Sequence, residues 1–231
     1  MENRASQIIV ALDVPTLKEA IFWCDRLPQV EFWKVGLELF IGAGKEVLAE
    51  LKQRNKKIFL DLKLHDIPNT VAKACEVAAS YGVDFLTVHG SGGKPMLKAA
   101  AKAVSGSPTQ ILAVTILTSI SAKELDLDLK IPLALNDYVL YLAQMAEEIG
   151  INGVVCSPLE LKELRSRLKS NFLLVTPGIR LPQDNPGDQQ RAMNPNQAIA
   201  SGANYLVIGR SILKAKNPEA AWQECVEISQ S

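Results

Sequence analysis

Residues 58–70 read IFLDLKLHDIPNT, an apolar run that also carries Asp61, Lys63 and Asp66. The apolar residues predict a buried strand, in which charged groups are costly unless they are paired. Side chains two positions apart on an extended strand project to the same face, so we expect Asp61 and Lys63 to form an ion pair. Pro68 cannot extend a β-ladder, which places Asp66 at the strand exit. The structural alternative is a solvated pair at a strand end.

Seven further apolar, β-branched runs resemble the one that begins this stretch. Together they predict strands over residues 7–12, 32–35, 57–62, 85–88, 110–116, 153–155, 173–175 and 205–208. Amphipathic segments between the runs predict helices over residues 17–27, 39–53, 71–81, 95–104, 137–149 and 159–168. Strands that alternate with helices are typical of a parallel sheet.

Helix starts carry matching capping signals. Capping boxes, in which Ser or Thr precedes Glu by three positions, are predicted at Thr16, Ser121 and Ser157. Asn194 and Asn217 each precede a proline at the first position of a predicted helix. No linker, low-complexity tract or repeat divides the chain. Eight βα units in 231 residues therefore predict one α/β domain over residues 1–231, a single (β/α)8 TIM barrel. A doubly wound open sheet is the alternative, but residues 11–16 read ALDVPT where that fold carries G-x-G-x-x-G.

Composition narrows the class of partner. Lys plus Arg equals Asp plus Glu at 25 each, so no overall positive field is present to hold nucleic acid or an anionic membrane. The apolar run at residues 8–12 is too short for a signal peptide or a transmembrane segment. Four widely spaced cysteines predict reduced thiols in a cytoplasmic protein.

Polar residues cluster where most of the predicted strands end, which is where barrel enzymes have their active sites. They are Asp13, Lys34, Asp61 with Lys63, His89, Thr118 with Ser119, and Gly209 with Arg210. Each has a structural alternative: Asp13, Thr118 and Ser119 as helix caps, and His89 as a core histidine. Cys156 and Ser157 after strand six are interpreted as a core thiol and a helix cap.

The last two strands predict an anion site. Gly209 lies at a strand-to-helix junction, where free N–H groups and the guanidinium of Arg210 suit a phosphate. After strand seven, residues 176–180 read TPGIR and lead into a long polar segment, LPQDNPGDQQRAMNP. That segment is a candidate lid that closes over the phosphate through Arg180 and Gln189. A surface loop with incidental polar residues is the alternative.

With these blocks assembled, the chain resembles the orotidine 5'-monophosphate decarboxylase family. VALDVP, WKVGLELF, FLDLKLHDIPNT, TVHGSGG, ILTS, TPGIR, GDQQRAMNP and LVIGRSI resemble its signature blocks in order. The resemblance implies a cofactor-free and metal-free lyase of UMP biosynthesis. It also implies a homodimer in which Asp66, Ile67 and Thr70 enter the neighbouring subunit's site.

The resemblance also assigns roles to residues. It implies a charged tetrad of Lys34, Asp61, Lys63 and Asp66, with Lys63 as the proton donor. The ribose contacts it implies are Asp13, Lys34 and Thr70, and the pyrimidine contacts are Thr118 and Ser119. The phosphate contacts it implies are Arg180, Gln189, Gly209 and Arg210.

The residues alone are also compatible with three other functions. The chain also resembles Mg²⁺-dependent sugar-phosphate enzymes that are phosphate-binding barrels with D-x-K-x-x-D, such as 3-keto-L-gulonate 6-phosphate decarboxylase and hexulose-phosphate synthase. In that interpretation, Glu38 and Asp66 are the carboxylates nearest to a possible metal ion. A Schiff-base aldolase would use Lys34 or Lys63 as its nucleophile. A non-enzymatic phosphate-sensing barrel would be expected to lack a member of the tetrad.

Overall fold

Eight parallel strands close into a barrel in the order of the sequence in the computed structural model, which describes residues 4–181 and 193–230. The strands are β1 (Ile8–Leu12), β2 (Phe32–Gly36), β3 (Lys57–Leu64), β4 (Phe85–His89), β5 (Gln110–Val114), β6 (Gly153–Val155), β7 (Leu173–Thr176) and β8 (Tyr205–Ile208). Because β1 pairs with both β2 and β8, the sheet has no edge. The predicted (β/α)8 barrel is confirmed and the open sheet is excluded. The predicted extent of strand five was wrong at its end, since β5 stops at Val114.

Helices follow the strands and cover the outside of the barrel. They are α1 (Leu17–Arg26), α2 (Leu37–Ala43), α3 (Lys45–Gln53), α4 (Pro68–Ser80), α5 (Gly93–Ala103), α6 (Ala122–Leu127), α7 (Leu135–Ile149), α8 (Leu161–Arg167), α9 (Pro195–Ala200), α10 (Arg210–Leu213) and α11 (Pro218–Gln230). The predicted continuous helix over residues 39–53 was wrong, because Gly44 has φ 56° and separates α2 from α3. An α-helical residue has negative φ, so the helix cannot continue through this glycine.

Side-chain bonds cap the helices at the predicted starts. Capping boxes are present at Ser121, Ser157 and Asn194, and the Thr16 hydroxyl accepts from the Glu19 amide. Asn217 Oδ1 accepts from the Ala220 amide at 3.1 Å, directly before the proline that begins α11. Local sequence and global topology therefore agree at these starts.

Two apolar layers fill the molecule. The larger layer packs the outer faces of the strands against the helices, and the smaller one fills the barrel interior. In the interior, Phe85 contacts Phe32, Phe59 and Tyr205 with ring centroids 5.1, 5.9 and 5.1 Å apart. These aromatic side chains close the barrel below its carboxyl edge, so inward side chains one layer further along the strands face a space above them.

The end of β3 departs from regular strand geometry. Leu60 pairs with Leu86 and Leu64 pairs with Val88, so four residue steps on β3 lie against two on β4. Lys63 lies in this bulge with φ 50°, the left-handed region that L-residues rarely adopt. The expectation that an extended strand aligns Asp61 with Lys63 was therefore wrong in its geometry, because Lys63 is not extended.

Two remaining expectations concern the cysteines, predicted to be reduced thiols, and the absence of a transmembrane segment. All four cysteines lie within the described residues. They are buried and none of them is joined in a disulfide, in agreement with reduced thiols. Across residues 4–181 and 193–230, no helix combines the length and apolar character that a membrane crossing requires.

Candidate active site

Four charged side chains of alternating sign form a chain at the carboxyl edge of β1, β2 and β3. Lys34 Nζ lies 3.0 Å from Asp13 Oδ1 and 3.7 Å from Asp61 Oδ2. Lys63 Nζ lies 2.8 Å from both oxygens of Asp61. Lys34 and Asp61 are each only 12% exposed in their side chains, so their charges are screened little by solvent. The predicted ion pair between Asp61 and Lys63 is present.

The two-residue period of the strands places these groups. Phe32 and Phe59 lie in the interior layer, and Lys34 and Asp61 each follow two positions later on the same face. Gly36 makes room for the Lys34 ammonium, because a Cβ added at Gly36 would lie 2.9 Å from Lys34 Nζ. The sequence placed the charges correctly but did not indicate this spatial need for glycine.

Asp61 has a third polar partner that the sequence did not reveal. The Thr87 hydroxyl of β4 donates to Asp61 Oδ1 at 3.0 Å and accepts from the Lys63 main-chain N–H at 2.8 Å. Thr87 is fully buried, and it follows the interior residue Phe85 by two positions. The strand period would have found Thr87, since it identifies inward residues regardless of charge.

A cavity of about 180 Å³ opens above the aromatic layer beside the charged chain. Its polar wall is formed by Lys34, Asp61, Lys63 and Thr118. The other lining residues are Phe59, Val114, Ile116, Leu117, Val155, Cys156, Pro177 and Val207. A small apolar space with a few convergent charged groups is typical of a small-molecule site.

The two predicted pyrimidine contacts differ in position. Thr118 lines the cavity, whereas Ser119 is exposed and is not among the lining residues. Ser121 caps α6, so the proposed capping role for Thr118 and Ser119 is not needed at this helix. Cys156 also lines the cavity, and burial raises the pKa of its thiol well above the ordinary value, so the thiol stays protonated and unreactive. Ser157 is the helix cap that we expected.

His89 lies at the end of β4 with its ring 5.1 Å from that of His65. Burial lowers the pKa of His89, and the nearby His65 and Lys63 lower it further. His89 is therefore neutral around pH 7, and a neutral imidazole beside Lys63 adds no repulsion to the charged chain.

The segment that follows β3 lies on the surface. Residues 65–70 are all exposed, and Ile67 is 67% exposed although it is a large apolar residue. Asp66 Oδ1 accepts from the Ile67 amide at 2.6 Å, and within the described part of this single chain Asp66 makes no ion pair with Lys63. Three members of the implied tetrad thus come together in one chain, while Asp66, Ile67 and Thr70 point to the outside of it.

The predicted phosphate end lies where β8 meets β1. A Cβ added at Gly209 would lie 3.3 Å from Ala11 Cβ and 3.6 Å from Asp13 Oδ2, so Gly209 lies close to the charged chain. Arg210 begins α10 and is exposed. Arg180 follows β7 at the base of the predicted lid, and its amide donates to Met193 O at 3.0 Å. The candidate lid spans residues 181–195, of which residues 182–192, including Gln189, lie outside the described residues.

Metal ligation has little support within the described ranges. Residues 4–181 and 193–230 contain no group of three His, Cys, Asp or Glu side chains that could hold a metal ion. Glu38, one of the two carboxylates considered for Mg²⁺, is an exposed residue in the first turn of α2.

These features define a class: a (β/α)8-barrel enzyme with a candidate active site in which a chain of charges lies above an apolar cavity. The chain belongs to the Orotidine 5'-phosphate decarboxylase / HUMPS family, whose model matches residues 6–225.

Relatives in this family match the chain over nearly its whole length. An orotidine 5'-phosphate decarboxylase of Gloeothece citriformis is 54% identical over 227 residues, covering 97% of this chain and 98% of the relative. The enzyme of the same name from Synechocystis is 56% identical over 219 residues, covering 94% and 95%. The crystal structure of orotidine 5'-phosphate decarboxylase from Lactobacillus acidophilus has a TM-score of 0.86 at 40% identity, covering 97% of this chain and 99% of that one. The family resemblance inferred from the sequence is confirmed.

Proposed function

We propose that this chain decarboxylates orotidine 5'-monophosphate to UMP, the last step of de novo UMP biosynthesis, and that Lys63 carries the chemistry. The observation that supports this role is the Lys63 ammonium held at 2.8 Å by Asp61 in the wall of the cavity. Membership of the family and the names of the relatives support the substrate.

The chemistry requires an electrostatic site. When the bond between C6 and the carboxylate breaks, its electron pair stays on C6 as a carbanion that the ring delocalises poorly. A fixed ammonium stabilises this negative charge and then transfers a proton to C6, which leaves Lys63 as a neutral amine that solvent reprotonates. Asp61 lies against the substrate carboxylate and repels it more in the ground state than in the transition state. The reaction needs neither a metal nor an organic cofactor.

The remaining residues bind the rest of the nucleotide. Asp13, Lys34 and Thr70 hold the ribose hydroxyls, and Thr118 and Ser119 contact the pyrimidine. The phosphate is held by Arg180, Gln189, Arg210 and the Gly209 amide. The short distance from Gly209 to Asp13 supports a phosphate and a ribose bound side by side at the seam of β8 and β1. Binding energy from the phosphate then assembles the site around the pyrimidine.

A homodimer completes the site. Asp66, Ile67 and Thr70 of one subunit enter the site of the other, where Asp66 becomes the second carboxylate beside Lys63. The exposure of residues 65–70 supports this arrangement, as does the apolar surface of α2, on which Ile41 is 81% exposed. Apolar side chains of this size are typically covered when they cluster at a surface.

The family also supports proposals on the extent of the domain, its location in the cell and its partners. We infer that residues 1–231 form one catalytic domain that acts in the cytoplasm on a small nucleotide, without nucleic acid or membrane partners. The equal numbers of acidic and basic residues support the absence of a polyanionic partner.

A decarboxylation assay tests the proposal. Purified protein is mixed with orotidine 5'-monophosphate, and the loss of pyrimidine absorbance is followed with and without EDTA. We expect turnover that EDTA does not change. Turnover that EDTA abolishes would instead indicate the Mg²⁺-dependent alternative, and the absence of turnover would refute the proposed activity. Borohydride in the presence of a carbonyl substrate traps a Schiff base only if Lys34 or Lys63 is a nucleophile.

A further inference from the structure

The left-handed conformation of Lys63 needs support from outside its own strand. Lys63 has φ 50° and lies in the bulge where the pairing of β3 with β4 shifts. An L-residue persists in this conformation only when its surroundings fix it. A side-chain contact that reaches its main chain comes from β4: the Thr87 hydroxyl accepts the Lys63 N–H at 2.8 Å.

The same hydroxyl also orients Asp61. A threonine hydroxyl has one proton, and the Thr87 proton is directed to Asp61 Oδ1 at 3.0 Å. Lys63 Nζ contacts both oxygens of that carboxylate, and Lys34 Nζ lies on the Oδ2 side. Thr87 thereby sets the rotation of the carboxylate that holds the ammonium.

Thr87 differs from the other buried threonines in what it binds. Among the buried threonines of the described residues, Thr109, Thr115 and Thr176 donate to main-chain carbonyls of neighbouring segments, namely those of Val83, Val155 and Cys156. Those bonds join segments of the barrel. The Thr87 hydroxyl instead bridges a charged side chain and the main chain of the residue that pairs with it.

We propose that Thr87 is a positioning residue that fixes the Lys63 ammonium for proton transfer to the substrate. It acts at both ends of the Asp61–Lys63 pair, through the Lys63 main chain and through the Asp61 carboxylate. This inference rests on the proposed function, in which Lys63 stabilises the C6 carbanion and protonates it. Thr87 belongs to neither the ribose nor the phosphate contacts, so its loss affects the chemical step rather than nucleotide binding.

The test is a comparison of Thr87→Val with Thr87→Ser. Valine keeps the shape of threonine and removes the hydroxyl, whereas serine keeps the hydroxyl. We expect Thr87→Val to lower kcat about tenfold to a hundredfold, because a small displacement of a reacting group is enough for a loss of this size. The affinity for UMP is expected to change less than about threefold, since its ribose and phosphate contacts remain. Thr87→Ser is expected to keep kcat within about threefold of the wild type.

Thr109→Val is the matched control. Thr109 is also buried, and its hydroxyl donates to Val83 O at 2.7 Å near the amino end of β5. This variant also loses a buried threonine hydroxyl, but kcat should not change. If Thr87→Val does not fold, Thr87→Cys replaces it, because a thiol is only a weak hydrogen-bonding group. We then expect kcat to fall well below that of Thr87→Ser.

Three outcomes overturn the inference: a wild-type kcat for Thr87→Val, an equal loss of kcat and UMP affinity, or an equal loss of kcat in Thr87→Ser. Lys63→Ala separates this failure from failure of the proposed function. If Lys63→Ala is inactive while Thr87→Val turns over normally, only the role of Thr87 is wrong. If Lys63→Ala retains turnover, the proposed chemistry itself is wrong.

Discussion

Removal of the Lys63 ammonium tests the charged chain most directly. In Lys63→Ala the carbanion at C6 loses a positive charge that would lie at hydrogen-bonding distance, about 3 Å. At an effective dielectric constant of about 20, two unit charges at that distance interact by about 5.5 kcal/mol. This energy corresponds to a loss of about four orders of magnitude in kcat. Loss of the proton donor adds to it, so we expect no measurable turnover.

The fold is expected to survive this change. Asp61 keeps the Thr87 hydroxyl at 3.0 Å and the Lys34 ammonium at 3.7 Å, so its charge is not left without partners. We expect the free energy of unfolding to fall by about 1.5–3 kcal/mol, the range for a hydrogen bond to a charged group. Denaturant unfolding measures this change. UMP affinity, measured by calorimetry, should change less than about tenfold because the phosphate contacts remain.

The control is Lys94→Ala, a surface lysine on α5 that lies 3.2 Å from Glu148. Its kcat should equal that of the wild type, since the pair is exposed and remote from the cavity lining. A folded Lys63→Ala variant with kcat within tenfold of the wild type would refute the electrostatic reasoning.

Three further changes test the parts of the site around Lys63. Gly36→Ala places a methyl group 2.9 Å from Lys34 Nζ and should displace the ammonium from Asp13. Because both residues are proposed ribose contacts, we expect KM to rise about tenfold in steady-state assays. Arg210→Ala should lower kcat/KM for orotidine 5'-monophosphate by about a hundredfold or more, and that for the nucleoside orotidine much less. Ile67→Asp buries a charge in the proposed dimer interface, so sedimentation should detect monomers and turnover should fall.

Each of these expectations can fail separately. An unchanged KM for Gly36→Ala would mean that the Lys34 ammonium does not need its present position. Equal losses on nucleotide and nucleoside would argue against a phosphate contact at Arg210. For Ile67→Asp the control is Leu129→Asp, at a leucine that is 49% exposed after α6 and lies outside the proposed interface. A dimer that persists in Ile67→Asp but not in Leu129→Asp would show that the interface does not include Ile67.

The sequence predicted the barrel and most of the charged chain because both depend on simple periods. Apolar runs marked every strand, and the carboxyl ends of parallel strands meet at one edge. The break between α2 and α3 was missed because apolar residues continue on both sides of Gly44, and the helical period was given more weight than the glycines at 42 and 44. The positive φ of Gly44 shows that this signal was the correct one.

The pairing of Asp61 with Lys63 was predicted, but from the wrong geometry. A regular strand would align them, whereas in the structure a bulge and a left-handed residue bring them together. Such a bulge depends on the register of the neighbouring strand, which a single strand's sequence does not contain. The contribution of Thr87 was missed for a related reason, since its partners are distant in sequence and its side chain carries no charge.

Closure of the barrel between its first and last strands has a consequence for the order of synthesis. The charged chain and Thr87 lie in the first four strands or directly after them, whereas Gly209 follows the eighth strand, and β1 pairs with β8. A nascent chain released from the ribosome up to β4 therefore already contains every group that we propose to act on C6 and the proposed ribose contacts, but it lacks the proposed phosphate contacts. Gly209 and Arg210 follow the last strand, so a product truncated before β8 would hold the phosphate of its substrate less tightly.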